Sequence, residues 1–544
     1  MSTAPVAPPS RWPARVGNAA ILALLGAVAL ALLSLHADGW WVAPPRPREW
    51  WLAAGCVLAY AGFMAALLWR ARQAKPAGLA AEAPLPWLVV HASQTGFGLE
   101  LAAHAADSLR AAGAHVAMLP LSSLDAATLA CTRRALFIAS TTGEGDPPDP
   151  AAAFVQTLLP RPFDLPELRY AVLALGDRAY VQYCAFGHRL DGWLQACGAQ
   201  AMFDLVEVDN GDPAALRHWQ HRLGQEVGAT TMPDWTPPGY DRWRLAARRC
   251  LNPGSLGGPA FHVVLAPPPG LQPRWEAGDI AQIGPRNAPA RVEAWLAAGG
   301  LDGAADVEFQ TRRTTLRDAL ARARLPTMPG AQRDPQALVD TLVPLPHREY
   351  SIASLPGDGA LELVVRLVED AEGHTGLGSG WLCRHAEPGD GIDVRIRANP
   401  GFHPPADARP LLLVGNGTGI AGLRAALKAR ERDGAHRNWL VFGERQRARD
   451  AFFADDIARW QASGVLERAD LVFSRDPGGP RYVQDALRAS APALRDWVSA
   501  GADILICGSL QGMAPGVEAA LREVLGEATV ERLRAQGRYR RDVY

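Results

Sequence analysis

The sequence has no surplus of charge of either sign. Its 55 Lys and Arg stand against 56 Asp and Glu, a formal net charge of −1 over 544 residues. No global field therefore draws in nucleic acid or an acidic polymer. Cysteine is sparse: seven residues lie scattered, and no C-x-x-C pair occurs. That argues against zinc, iron–sulfur clusters and a disulfide scaffold, and fits a reducing compartment. No internal repeat is evident. What the chain does have is length, enough for roughly three or four domains.

Two uncharged apolar runs open it, "NAAILALLGAVALALLSL" (18–35) and "WLAAGCVLAYAGFMAALLW" (51–69). Each has about the length that spans a bilayer, and Trp40, Trp41, Trp50, Trp51 and Trp69 stand at the edges, where amphipathic rings favour the interface. Residues 1–75 are therefore read as a membrane anchor of two transmembrane helices. A cleaved signal peptide for the first run, or two buried core helices, are the other readings. Arg11 and Arg15 before the runs and Arg70, Arg72 and Lys75 after them favour both ends on the cytoplasmic side. The expected location is thus the cell inner membrane, multi-pass, with the remaining domains facing the cytoplasm. Residues 76–85 are a linker.

From Trp87 short apolar runs alternate with amphipathic stretches: "WLVVHA", "HVAML", "ALFIAS", "YAVLAL" and "MFDLVEV" are the candidate strands. Five strands alternating with helices predict an open parallel sheet over 86–230, with ligands at the strands' carboxyl ends. The first strand enters "SQTGFG" (93–98), the third "STTGEGDPPD" (140–149) and the fourth "LGDRAYVQYCAFG" (175–187). Hydroxyls and glycines before a helix suit a phosphate. No G-x-G-x-x-G occurs at this first turn, which points away from a dinucleotide there.

After Asp234 the composition turns rich in Pro and Gly, and "WEAGDIAQIGP" reads as a strand entering a small barrel over 235–405. Residues near 288–345 read as a helical connecting insertion. "HREYSIASLP" (347–356) groups a cation, an aromatic face and hydroxyls, and "GLGSGWL" (376–382) offers small residues at a helix start. The last region, 406–544, runs from "RPLLLVGNGTGIAGLRAAL", a strand–turn–helix suited to a phosphate, to "ADLVFSRDPGGPRYVQDAL", where Arg and hydroxyls cluster. Guanidinium groups recognise phosphate bidentately, which favours NADPH with its 2′-phosphate over NADH. The strand "ADILICG" ends at Cys507, and the chain ends "GRYRRDVY".

These motifs, in this order over about residues 86–544, resemble the diflavin reductases, the family of sulfite reductase flavoprotein subunits and NADPH–cytochrome reductases. The resemblance implies a multidomain fold: flavodoxin-like α/β domain, FAD-binding β-barrel with a short helical connecting segment, and α/β NADP-binding domain. It implies the cofactors FMN, FAD and NADPH. By it, Ser93, Gln94, Thr95, Gly96 and Gly98 hold the FMN phosphate; Thr141, Thr142, Gly143, Gly145, Gly176, Asp177, Tyr180 and Cys184 border the flavin ring, and Asp209 bounds its far side. Arg348 and Ser379, with Gly376 and Gly378, meet the FAD pyrophosphate, Tyr350 packs on that flavin, and Ser351 lies near its ring. Gly415, Gly417, Thr418 and Gly419 cradle NADPH; Ser474, Arg475, Arg481, Tyr482 and Gln484 take its 2′-phosphate, and Cys507 lies beside the nicotinamide. Ser351, Cys507 and Asp542 surround the transferring hydride, and Tyr544 stacks on the FAD ring as a movable gate. Where the cytochrome reductases have an aromatic, Thr142 stands, so the second loop is more similar to the sulfite-reductase type; where the family has Asp after Cys-Gly, Ser509 stands.

The function this implies is a membrane-anchored NADPH-dependent reductase passing electrons through FAD and FMN to a one-electron acceptor, a haem protein in or near the membrane. No metal site is expected. The alternative is the flavoprotein subunit of an NADPH sulfite reductase, and a non-catalytic membrane adaptor is the rival from another class.

Overall fold

The computed structural model describes residues 86–229, 235, 239–310, 312–326 and 334–544. These residues fall in one compact unit, Pro84–Tyr544. Among them no helix is long and apolar enough to cross a membrane. For the described residues the expected fold class is corrected accordingly: they form two α/β layers and one β layer, and none of their helices is a transmembrane helix; the two apolar runs at 18–35 and 51–69 lie outside the described residues.

The first layer is a parallel sheet of β1 (Trp87–Ala92), β2 (Val116–Pro120), β3 (Arg134–Ser140), β4 (Arg169–Gly176), the two-residue β5 (Gln200–Ala201) and β6 (Val206–Asp209). The order is β2-β1-β3-β4, with β5 and β6 both pairing with β4. Helices α1 (Phe97–Ala111), α2 (Ala185–Ala196) and α3 (Pro213–Val227) cover its faces. The run "MFDLVEV" does not form one strand. Phe203 instead turns its ring edge-on to Trp219 of α3, 5.3 Å between centroids, and both are buried. Burial of that aromatic pair outweighs the β-propensity of its segment. The order reverses between β1 and β3, and at such a switch point the carboxyl ends of the strands open a ligand crevice.

The second layer is an antiparallel six-stranded sheet of β7 (Asp241–Cys250), β8 (Ala260–Ala266), β9 (Ile280–Gly284), β12 (Arg348–Ser351), β13 (Leu361–Arg366) and β14 (Gly391–Arg397), ordered β12-β9-β14-β7-β8-β13. A bridge between Ile352 and Leu363 joins the two ends and curls it into a barrel. Trp243, Leu245, Val263, Ile283 and Leu363 fill the interior. Between β9 and β12 lies the insertion: α4 (Pro289–Gly299), the hairpin β10 (Asp306–Phe309) and β11 (Arg312–Thr315), α5 (Leu316–Ala321) and α6 (Pro335–Val339), with its own apolar core. The hairpin interrupts a stretch read as helical.

The third layer is a parallel sheet, β17-β16-β15-β18-β19, built from β15 (Leu411–Asn416), β16 (Asn438–Glu444), β17 (Leu466–Phe473), β18 (Asp503–Gly508) and β19 (Tyr539–Val543). Helices α7 (Ile420–Arg432), α8 (Val483–Ala489), α9 (Met513–Leu525) and α10 (Glu527–Ala535) pack around it. The chain end is therefore an edge strand, not a frayed tail. Beyond β19, the Tyr544 N–H donates to the Gly508 carbonyl and the Leu510 N–H donates to the Tyr544 carbonyl, each at 3.0 Å.

Buried ion pairs join the layers. Arg424 of α7 donates to Glu362 of β13 at 2.7 Å, and His262 lies 2.8 Å from the same carboxylate. Burial pushes the Glu362 carboxyl up, but His262 and Arg424 outweigh it and hold the group at about 2. Its folded-state value lies below the unfolded one, so its stabilisation is present above the unfolded value and is lost as pH falls toward 2. The gap in stability between the chain and Glu362→Gln should thus be about 3 kcal/mol at neutral pH. Thermal unfolding should show that gap closing between roughly pH 4.5 and 2.

Candidate active site

The first crevice is built at the carboxyl ends of β1, β3 and β4. Gly96 closes β1 with φ +84, a left-handed turn that glycine allows. The Gly98 N–H donates to Ser93 Oγ at 3.0 Å, and a Cβ on Gly98 would crowd Ser93 Cβ at 3.1 Å and Ser140 Oγ at 3.3 Å. Small residues there keep the start of the fifteen-residue α1 open to an anion. Thr142 Oγ1 is buried without a protein partner, an orphan that a flavin's polar edge can satisfy. Gly145, at φ +104, touches Gln182, so the second and third loops close on each other. Thr141 Oγ1 accepts from the Phe186 N–H, the Asp177 carboxylate from the Ala179 N–H, and Asp209 from the Arg178 N–H. Tyr180 is half-buried on the same loop, and Gly143 is left-handed at φ +52. The residues fit FMN.

Two of the residues named for this crevice do other work. Gln94 spends its whole amide on structural bonds, one of them across a domain boundary: Nε2 donates to Asp149 Oδ2 in its own domain and to the Arg541 carbonyl in the last, and Oε1 accepts from the Asp149 N–H. Cys184 is fully buried with φ +54, and its thiol donates to the Ala174 carbonyl. Burial pushes that thiol up to about 11, and it packs against β4 rather than lining the crevice. Tyr183, under the Arg178 guanidinium at 5.1 Å, is the aromatic that the sequence reading passed over.

The second site lies where β12 meets the turn before residue 381. A Cβ on Gly378 would overlap Tyr350 Oη and lie 2.8 Å from Arg348 Cγ, so both side chains lie directly over that glycine. Ser379 Oγ accepts from the Val368 N–H at 3.2 Å and sits against Gly376. Arg348 donates to the Pro346 and His347 carbonyls, and among the described residues it forms no ion pair. A cation free of carboxylates beside a glycine cradle fits a pyrophosphate, and hence FAD.

The third site is a cleft of ≈ 590 Å³ at the carboxyl ends of β15, β16 and β17. Thr418, Ser474, Arg481, Tyr482 and Gln484 line it, with Tyr544 at one side. Arg475 is not among the lining residues; Arg445 and Arg366 are. Gly415 and Gly419 serve packing, because a Cβ on either would overlap the Cys507 carbonyl. Gly422 completes a G-x-G-x-x-G from Gly417, a signal present in the sequence but not picked out. A Cβ there would lie 3.3 Å from Cys507 Sγ and 3.7 Å from Ser351 Cβ.

Strand pairing places the reacting groups. Cys507 of β18 lies opposite Asp542 of β19. Ser351, at the end of β12, donates to Asp542 Oδ2 at 2.6 Å. Cys507 Sγ lies 3.8 Å from the same oxygen and 4.0 Å from Ser351 Oγ. Burial pushes the Asp542 carboxyl up against the hydrogen bond from Ser351. Burial and the neighbouring Asp542 push the Cys507 thiol well above its usual range, so it stays protonated. Tyr544 is 55% exposed, its hydroxyl 3.3 Å from Thr418 Oγ1. Ser509, in place of the family's Asp, turns its hydroxyl to the Gln511 carbonyl.

A flavodoxin sheet, together with a flavin barrel and a nicotinamide lobe that share one buried Ser–Cys–Asp cluster, defines a flavin-dependent, NADPH-oxidising enzyme. The flavodoxin family model matches residues 89–219, and the oxidoreductase NAD-binding domain model matches residues 413–519. The chain is 29% identical to the sulfite reductase [NADPH] flavoprotein alpha-component of Neisseria meningitidis serogroup B, over 86% of this chain and 91% of that protein. It is 30% identical to the protein of the same name from Yersinia enterocolitica, with the same coverage. The chain belongs to the diflavin reductase family. It is an NADPH-dependent oxidoreductase with FMN, FAD and NADPH as its cofactors.

The phenol of Tyr544 hangs from a fixed backbone into the nicotinamide cleft. Tyr544→Ala keeps that backbone and removes the ring; an aromatic stacking contact, where one is made, is worth about 0.5–1.5 kcal/mol. The preference for NADPH over NADH, read as a ratio of kcat/KM values, should fall about three- to tenfold, with slower product release. Unchanged ratios would show the ring to be inert.

Proposed function

We propose that the chain is the electron-donating flavoprotein of a two-component reductase, delivering NADPH electrons to a haem-containing acceptor protein of the sulfite reductase type. The observation that carries this reading is the match along nine-tenths of the length of the sulfite reductase flavoprotein relatives. When bound, FAD takes hydride from NADPH and FMN carries electrons onward singly.

The chain's own residues prepare that chemistry. Ser351 and Asp542 form a buried hydrogen-bonded pair beside the nicotinamide cleft. The Asp542 carboxylate, in a place from which water is excluded, would stabilise the positive charge that a bound nicotinamide gains on giving up hydride. Cys507, held protonated, fills the space beside it without adding a second negative charge. Tyr544 lines the same cleft, and its ring would swing aside to admit the nicotinamide. On the flavodoxin side, Gly401 of the barrel edge lies against the Gln94 carbonyl, and Glu100 of α1 pairs with Arg395 of β14. The first crevice is thereby held against the barrel.

The purified chain loaded with both flavins should oxidise NADPH with ferricyanide. On adding a sirohaem sulfite reductase subunit it should form sulfide. Ferricyanide reduction without sulfide would reject the sulfite-type acceptor and leave another haem protein as the partner. Failure with both would reject the reductase reading itself.

A further inference from the structure

The nicotinamide lobe carries an acid where a 2′-phosphate enzyme should not want one. In strand–turn–helix nucleotide folds, an acidic residue some twenty positions past the glycine turn, at the end of the second strand, accepts from the adenosine ribose 2′-hydroxyl and disfavours a phosphate there. Glu444 stands at that place, the last residue of β16. Its side chain is 5% exposed and lines the nucleotide cleft. The Ser474 N–H donates to the Glu444 backbone carbonyl at 2.9 Å, and both residues line the same cleft.

Arg366 answers the charge from another domain. It ends β13 of the flavin barrel, donates to the Gly258 carbonyl at 2.6 Å, and pairs with Glu444 Oε1. The Arg445 N–H takes the other oxygen at 3.1 Å. The pair lies beside the left-handed Gly417 turn: a Cβ at Gly417 would be 3.8 Å from both Arg366 Nη2 and Glu444 Oε1.

We propose that Arg366 and Glu444 together set the dinucleotide preference of this chain: the barrel arginine cancels a resident acid that would otherwise select NADH. Glu444 and Arg366 are specificity-determining residues, and NADPH is preferred because Arg481 and Ser474 act on the 2′-phosphate while Glu444 is neutralised. The inference rests on the NADPH-dependent activity and is independent of which protein accepts the electrons.

The test is the binding of NADP⁺ and NAD⁺ to the flavin-loaded chain by calorimetry. Arg366→Met exposes the acid, and the ratio of NADP⁺ to NAD⁺ affinity should fall about tenfold or more. Glu444→Gln keeps the side chain's shape and needs no new partner. It should raise NADP⁺ affinity about three- to tenfold without raising that for NAD⁺. The double variant should return the ratio to within about threefold of the Glu444→Gln value. If Arg366→Met weakens both nucleotides by the same factor, Arg366 is a pyrophosphate cation and the proposal fails. If Glu444→Gln leaves NADP⁺ binding unchanged, the acid is silent and the proposal fails equally.

Discussion

Asp542→Asn should slow the reduction of the FAD site by NADPH about 10²- to 10³-fold, the usual cost of removing one preorganised electrostatic stabiliser from a dry site. The carboxylate is 6% exposed, and its hydrogen-bond partners are a hydroxyl and a thiol rather than a cation. A buried charge so placed is costly to the fold, which burial already signals by pushing the carboxyl upward. The amide conserves volume and keeps an acceptor for Ser351, so the thermal midpoint should stay level or rise while activity collapses. That opposition of signs distinguishes a reacting group from a packing one. Rapid mixing with NADPH gives the rate, and a thermal melt of the same preparation gives the stability. A fall in both together would place Asp542 among merely structural acids.

Asp149→Lys should leave reduction of FAD by NADPH untouched and slow the subsequent reduction of FMN about 10²-fold. Arg541 of β19 holds Asp149 of the flavodoxin domain bidentately, Nη2 to Oδ1 at 2.7 Å and Nε to Oδ2 at 2.9 Å. The Asp149 side chain is 6% exposed. Gln94, inside the phosphate loop of the first crevice, bonds both Asp149 and the Arg541 carbonyl. The residue next along the strand is Asp542, so one strand carries the hydride cluster and the tie to the FMN domain. Breaking a buried pair by changing one partner costs about 3–5 kcal/mol, which in a docking equilibrium is a factor of roughly 10²–10³. Asp149 is chosen over Arg541 because it stands off the strand that holds the reacting groups. Partial recovery in Asp149→Lys with Arg541→Glu would tie the effect to the pair.

Local pattern made much of this molecule readable. β1 occupies the very run that the apolar pattern marks, and the glycine- and hydroxyl-bearing loops follow β1, β3 and β4, because strand–turn–helix chemistry is written in adjacent residues. Ser351, Cys507 and Asp542 were nameable through a family resemblance, and the register of β18 on β19 brings the last two together. Pairings between distant residues leave no such local signal. Nothing near Arg366 announces Glu444, 78 positions on, and nothing near Gln94 announces Arg541, 447 positions on. Such contacts depend on how domains sit, which has no local periodicity. Cys184 was misassigned for a related reason. Its loop position suggests a ligand-facing thiol, while the left-handed backbone there turns it inward onto β4. The two apolar runs at the front satisfy a length criterion, and the described helices do not include them.

The central claim is that one compact unit moves electrons from NADPH through FAD to FMN. Anaerobic stopped-flow absorbance of the flavin-loaded chain mixed with excess NADPH tests it most directly. Two flavins per chain should bleach, the first in the NADPH-dependent phase and the second in a phase independent of NADPH concentration. Bleaching of a single flavin, with FMN left oxidised in the intact chain, would contradict the account.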